Sequence, residues 1–181
     1  MQFIRSNKIP DLIKVIPDVF SDDRGFFLET YNEKVFAANG IDTKFVQDNY
    51  SHSVKGVLRG LHFQKPPFAQ AKLVRCTAGN VLDVAVDIRQ NSPTFGQFEM
   101  FELSAENHQM LFIPQGFAHG FVALSDTADF QYKCDNFYNQ TSESGIIYND
   151  PKLAITWPKM DYIVSDKDQT LGDLDTVRGI F

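Results

Sequence analysis

The sequence predicts an all-β protein, an antiparallel sandwich or barrel, and three observations lead there. Turn signals recur at short intervals: Asp22-Asp23-Arg24-Gly25, Pro66-Pro67, Ala78-Gly79-Asn80, Asn91-Ser92-Pro93, Ala105-Glu106-Asn107 and Asp126-Thr127. Between them lie short runs rich in Val, Ile, Phe and Leu, the spacing of strands in sandwiches and barrels. Phe alone supplies 17 residues and aromatics 13% of the chain, which suits strands and thick cores between sheets.

Taken in order, the elements follow from local pattern. Phe20 to Tyr31 is an apolar run interrupted by Asp22 to Gly25. Glu33 to Asn39 predicts the one clear helix, with Asn32 as its N-cap and Gly40 as its C′ residue. Residues 57–64 form a strand-like run closed by Pro66-Pro67. Residues 71–77 place Lys72, Val74 and Cys76 on one face, and residues 129–134 do the same for Phe130, Tyr132 and Cys134. In residues 81–88, Leu82, Val84, Val86 and Ile88 share one face, while Val81, Asp83, Ala85 and Asp87 make a mixed one. A second short helix is expected over Asp168 to Leu174. No repeat and no low-complexity linker divides the chain, so residues 1–181 are expected to form one domain.

Composition limits function. At 20.6 kDa the chain can bury a core without disulfides or metals. Apolar residues at 43% against 22% charged describe a globular chain. The net charge of -6 argues against nucleic-acid or anionic-membrane partners, because the overall field repels polyanions. It still allows a small phosphate ligand held by a few arginines. Cys76 and Cys134 form no CxxC motif, which suits a reduced, cytoplasmic protein. No secretion signal and no run near the ~20 apolar residues of a membrane span is present. The GxGxxG, GxxxxGK[ST], GxSxG and HExxH motifs are absent, so dinucleotide, Walker-type, serine-hydrolase and zincin readings lose their support.

Four histidines can be judged singly. His52, in Ser51-His52-Ser53, and His108, after a turn signal, read as solvated or turn residues. His62 sits in Val57-Leu-Arg-Gly-Leu-His-Phe-Gln64, and His119 in Ile113-Pro-Gln-Gly-Phe-Ala-His-Gly120. Alone, each is more often structural than catalytic. Together they suggest a cupin-type jelly-roll barrel with one or two short peripheral helices, because Pro114-x-Gly116-x-x-His119 matches the second cupin motif. Metal cupins supply a His-x-His pair in the first motif; here His62 is followed at that spacing by Gln64. One histidine per motif points to a metal-free cupin, since a metal needs several convergent ligands.

Longer blocks then resemble one family, the dTDP-4-dehydrorhamnose 3,5-epimerases. They are Arg24-Gly-Phe-Phe-Leu-Glu29, Val46-Gln-Asp-Asn49, Gly56-Val-Leu-Arg-Gly-Leu-His-Phe-Gln64, Lys72-Leu-Val-Arg-Cys76, Asp87-Ile-Arg-x-x-Ser-Pro-Thr-Phe-Gly96, Ile113 to Phe121 and Tyr132-Lys133. The resemblance runs from about residue 3 to Asp168. It implies an isomerase that inverts C3 and C5 of dTDP-4-dehydro-6-deoxy-D-glucose through enolates. The C4 ketone acidifies both protons, so the substrate brings its own electron sink, and neither a metal nor a redox cofactor is implied.

The resemblance also implies roles. His62 matches the base, and imidazole changes charge near neutrality. Tyr132 matches the acid, Lys72 the group at the enolate oxygen, and Asp168 the carboxylate paired with the base, with Asp166 as an alternative. Arg24 and Arg59 match diphosphate ligands, a role suited to the guanidinium fork. Tyr138 matches the residue stacked on thymine. Glu29, Gln47, Asp48, Asn49, His119, Glu143 and Lys167 match further substrate-binding positions. A homodimer is implied, with the N-terminal segment crossing to the partner and bringing Arg24 and Glu29 into its site. One difficulty stands in the pattern: Arg59 and His62 have opposite strand parity, so either a bulge at Gly60 turns both inward or Arg59 reaches the phosphates from the rim. Three rivals remain: a sister enzyme epimerising only C3 or C5 or using another nucleotide sugar, a metal-dependent cupin, and a non-catalytic sugar-binding jelly roll.

Overall fold

The computed structural model describes residues 1–181. The strands are β1 (Gln2–Arg5), β2 (Ile13–Ile16), β3 (Val19–Asp22), β4 (Gly25–Leu28), β5 (Gln47–Val54), β6 (Val57–Gln64), β7 (Lys72–Ala78), β8 (Asn80–Asp87), β9 (Phe98–Ser104), β10 (Met110–Ile113), β11 (Phe117–Ala123), β12 (Thr127–Cys134), β13 (Glu143–Gly145) and β14 (Ile163–Val164). Two short helices, α1 (Glu33–Ala38) and α2 (Asp166–Gln169), sit outside them. The all-β expectation holds, and each turn signal falls between or at the end of strands.

One sheet runs β1-β2-β10-β7-β12-β5 and the other β13-β6-β11-β8-β9, with β14 parallel to β6. The core between them draws from both: Val74, Cys76, Leu111, Ile113 and Phe130 from the first, Val81, Ala85, Leu103, Phe117 and Phe121 from the second. The outer face of the second sheet is covered by the C-terminal segment through Leu153, Leu174 and Val177. The outer face of the first is covered in part by Phe36 of α1 and by Ile41. Strand β8, between β11 and β9, is buried on both faces, with Val81 and Ala85 in the inter-sheet core and Val84 and Val86 packed under the C-terminal segment. The face read as mixed is the one turned to the inter-sheet core, carrying Val81 and Ala85.

Local signals placed α1 closely. The Asn32 side chain accepts the Val35 N–H, and Gly40 takes the left-handed φ of +84° that ends the helix. The second helix starts two residues earlier than expected, because Ser165 caps it by accepting the Asp168 N–H at 3.1 Å. It ends at Gln169, and a separate 3-10 turn follows at Leu174–Val177.

The parity difficulty resolves at Gly60. His119 pairs with His62 but Phe121 with Arg59, so Gly60 and Leu61 together oppose Gly120. That extra residue is a bulge, and it turns Arg59 and His62 to the same cavity. Gly60 has φ +134°, and a Cβ there would lie 2.5 Å from the Gly120 Cα. Only glycine tolerates both the conformation and the approach.

Candidate active site

A cavity of about 610 Å³ opens between the sheets. Asn49, Lys72, Phe130 and Tyr132 line it from the first sheet, and Arg59, His62, His119 and Phe121 from the second. Ser165, Lys167 and Asp168 close one side. The alternation read from sequence places these groups. Lys72 and Cys134 are cross-strand partners, as are Val74 and Tyr132, so β7 and β12 present one continuous face.

His62 Nε2 lies 2.7 Å from Asp168 Oδ1, and Asp168 Oδ2 accepts the Gly60 N–H at 3.2 Å. Burial alone would raise the Asp168 carboxyl, but the bonds from His62 and Gly60 outweigh it and hold it below the usual carboxylate range. Asp166 is exposed at the first turn of α2, so Asp168 is the carboxylate that meets His62. Across the cavity, burial pushes the Tyr132 phenol up to about 12. Lys72 Nζ sits 5.8 Å from the Tyr132 ring centre. Burial lowers its ammonium, against the pull of Cys134, Asp83 and Glu143.

His119 is nearly sealed, and its Nε2 lies 2.8 Å from Asp83 Oδ2. Burial pushes its imidazole below the ordinary value, and Lys72 and His62 push the same way against Asp83. Arg59 is exposed at the mouth, where it donates to Ser53 Oγ and the His52 carbonyl. Nearby, the Tyr138 hydroxyl donates to Glu143 Oε2 at 3.0 Å, and Lys167 is ion-paired to Glu143. Burial would raise Glu143, but the Lys167 and Tyr138 bonds win and hold it low. Gln47 bonds Asn49 Oδ1 through its Nε2 and accepts the Tyr138 N–H.

Three expected residues lie elsewhere within the chain. Asp48 alternates to the outer face of β5, where it pairs with Lys133, because its strand parity is opposite to that of Gln47 and Asn49. Arg24 is at the tip of the β3–β4 hairpin, bonded to Asp22 and exposed. Glu29, just past that hairpin, accepts from Asn32. His52 is exposed as expected, though on strand β5 and paired with Asp129. His108 is in its turn, against Phe26.

Two residues escaped the sequence reading. Asp83 was visible only as a carboxylate sharing a face with Val81 and Ala85, a position that demands a buried partner. Gln64 registered only as a replaced histidine; it is buried and bonded to three backbone groups.

Comparison with known proteins agrees on one family. The family model described as dTDP-4-dehydrorhamnose 3,5-epimerase matches residues 6–176. The dTDP-4-dehydrorhamnose 3,5-epimerase of Escherichia coli K12 is 54% identical over 177 residues, covering 97% of this chain and 95% of that one. The crystal structure of dTDP-6-deoxy-D-glucose-3,5-epimerase from Legionella pneumophila, in complex with dTDP-4-keto-L-rhamnose, superposes with a TM-score of 0.93 at 48% identity, covering 96% of this chain and 93% of that one. A 3′-monoepimerase from Streptomyces bikiniensis, in complex with dTDP-quinovose, gives a TM-score of 0.89 at 34% identity, with 96% and 88% covered.

Proposed function

This chain belongs to the dTDP-4-dehydrorhamnose 3,5-epimerase family, and on that premise we propose how its cavity performs the reaction. The enzyme inverts C3 and C5 of dTDP-4-dehydro-6-deoxy-D-glucose to give dTDP-4-dehydro-L-rhamnose. His62 takes the proton from the carbon beside the C4 ketone. The C–H electrons form the enolate double bond, and the carbonyl pair moves to oxygen. Asp168 holds the imidazole and steadies the imidazolium that results. Lys72 faces the enolate oxygen, where a cation in a low-dielectric cavity is most effective. Tyr132 gives its phenolic proton to the opposite face of the same carbon, leaving a phenolate that regains a proton from solvent while the His62 imidazolium releases its proton there, which restores both groups. With its phenol pushed up to about 12, Tyr132 enters the cycle protonated.

The observation that carries this reading is that His62 and Tyr132 enter one cavity from opposite sheets, so a ring between them has a proton-transfer group on each face. Arg59 and Lys167 supply cations for the diphosphate, and Tyr138 supplies the stacking surface for thymine. The chain works as one domain of cupin type, since both sheets and the C-terminal Asp168 serve the same cavity.

The assembly is a homodimer in which the β3–β4 hairpin carries Arg24 and Glu29 to the partner's cavity. Supporting it, Phe20, Phe26 and Phe27 on that hairpin are each more than 60% exposed, and β5 ends its sheet with an unpaired edge. Light scattering should read about twice 20.6 kDa; a fully active monomer would refute the exchange. Two buried free thiols, Cys76 and Cys134, fit a cytoplasmic enzyme, and recovery of the protein from a secreted fraction would refute that placement.

The deciding experiment is incubation with dTDP-4-dehydro-6-deoxyglucose in D2O, read by NMR. Deuterium at both C3 and C5 with inverted product supports the 3,5-epimerase. Exchange and inversion at one carbon alone would replace it with a mono-epimerase, a rival that the likeness to the Streptomyces enzyme keeps specific.

A further inference from the structure

Gln64 lies two residues beyond His62 on β6, and only 4% of its surface is exposed. Its whole amide is engaged by backbone. Nε2 donates to the Phe68 carbonyl at 2.8 Å and to the Phe137 carbonyl at 3.2 Å. Oε1 accepts the Asn139 N–H at 2.6 Å. Two of these bonds flank Tyr138, whose own N–H goes to Gln47 Oε1 at 2.9 Å. Asn139 then caps the next turn by accepting the Ser142 N–H. Two consecutive peptide units, 137–138 and 138–139, are thus held by two glutamine side chains. The Tyr138 side chain is itself 55% exposed and gains little order from packing. Its ring is placed by the backbone beneath it and by the bond of its hydroxyl to Glu143.

We propose that Gln64 is a positioning residue for nucleotide recognition, clamping residues 137–139 so that the Tyr138 ring stands ready to stack on thymine. This rests on the reading of Tyr138 given above. Only an amide suits the position, which needs donors for two carbonyls and an acceptor for one N–H. An ionised glutamate would set its oxygens against both carbonyls. In metal cupins this is the position of the second histidine of the first motif. Here the same place on the strand serves a loop that carries the base platform.

The test is a double-mutant cycle on dTDP binding by calorimetry, using wild type, Gln64→Met, Tyr138→Ala and the double variant. Gln64→Met should weaken dTDP about tenfold, the scale of one lost base stack, and raise KM to match. Its kcat should stay within about twofold, because a binding group acts equally on ground and transition states. In the Tyr138→Ala background it should add almost nothing. The proposal fails if Gln64→Met leaves dTDP binding unchanged, or if its effect is undiminished without the Tyr138 ring. If Tyr138→Ala alone leaves dTDP binding intact, the stacking assignment falls and the proposal with it, whatever Gln64 does. Gln64→Glu keeps the size and the acceptor but not the donors, and it enters the same cycle should Gln64→Met not fold.

Discussion

Two histidine–carboxylate pairs face each other across the β6–β11 ladder, where His62 and His119 are direct partners. Their contacts look alike, with Nε2 at 2.7 and 2.8 Å from an aspartate oxygen. Their surroundings differ. The His62 side chain is 30% exposed to the cavity and the His119 side chain 7%. Asp168 has both oxygens bonded, one to His62 and one to the Gly60 N–H. Asp83 is fully buried, and its Oδ1 has no partner. Consequently the Asp168 carboxyl titrates low and stays a stable anion behind an open imidazole. The His119 imidazole is pushed low by burial and stays neutral at its post. On the proposed assignment, access to the cavity and the bonds on the carboxylate separate His62 as base from His119 as binding group; the pairing itself does not.

The largest expected effect breaks the two apart. His62→Ala should lose deuterium exchange and inversion together, with a fall in kcat of about 10² to 10⁴ for a missing general base. His119→Ala should keep exchange at C3 and C5 and act mainly on KM. Isotope exchange measured beside product formation separates them. If His119→Ala lost exchange while His62→Ala retained it, the assignments would have to be reversed.

Tyr132 tests whether either histidine can serve both faces. His62 and His119 stand on adjacent strands of one sheet, so neither can reach the far side of the ring. Tyr132→Phe keeps the ring and its packing and removes the donor. Exchange into the starting sugar should persist, while inverted product falls by a factor of about 10² or more. Inversion at near wild-type rate in Tyr132→Phe would mean that another group supplies the second face.

Much of this arrangement was legible because it is local. The Asn32 cap, the Gly40 stop and the shared faces of Lys72-Val74-Cys76 and Phe130-Tyr132-Cys134 each depend on neighbours within a few residues. The bulge at Gly60 was foreseeable because two functional side chains had conflicting parity. What stayed hidden depends on register between distant strands. Asp83 meets His119 only because β8 pairs with β11 at that offset. Gln64 finds Phe137 and Asn139 some seventy residues away. That Arg24 and Glu29 stand outside this chain's cavity was expected from the family resemblance, which carries their segment to a partner, and from no pattern within one strand.

The smallest effect lies in the pH dependence of stability, where the two pairs should titrate in separate windows. Asp168 has a folded-state value below its unfolded one. In the window between the two, the unfolded chain binds the extra proton, so stability falls with pH from about 4 downward. His119 is also depressed on folding, and its unfolded value is near 6.5. The same sign applies, but the loss starts as pH drops below about 6.5. Thermal melts from pH 8 to 3 should therefore show two components. His119→Gln removes a titrating group, so its Tm should decline less between pH 6.5 and 5, by about 2–4 °C for each kcal/mol involved. Asp168→Asn should flatten only the segment below about pH 4. Slopes are compared rather than absolute Tm values, since both variants also lose a hydrogen bond. If His119→Gln flattened the acid limb and Asp168→Asn the neutral one, the contrast between the sealed pair and the open pair would be wrong.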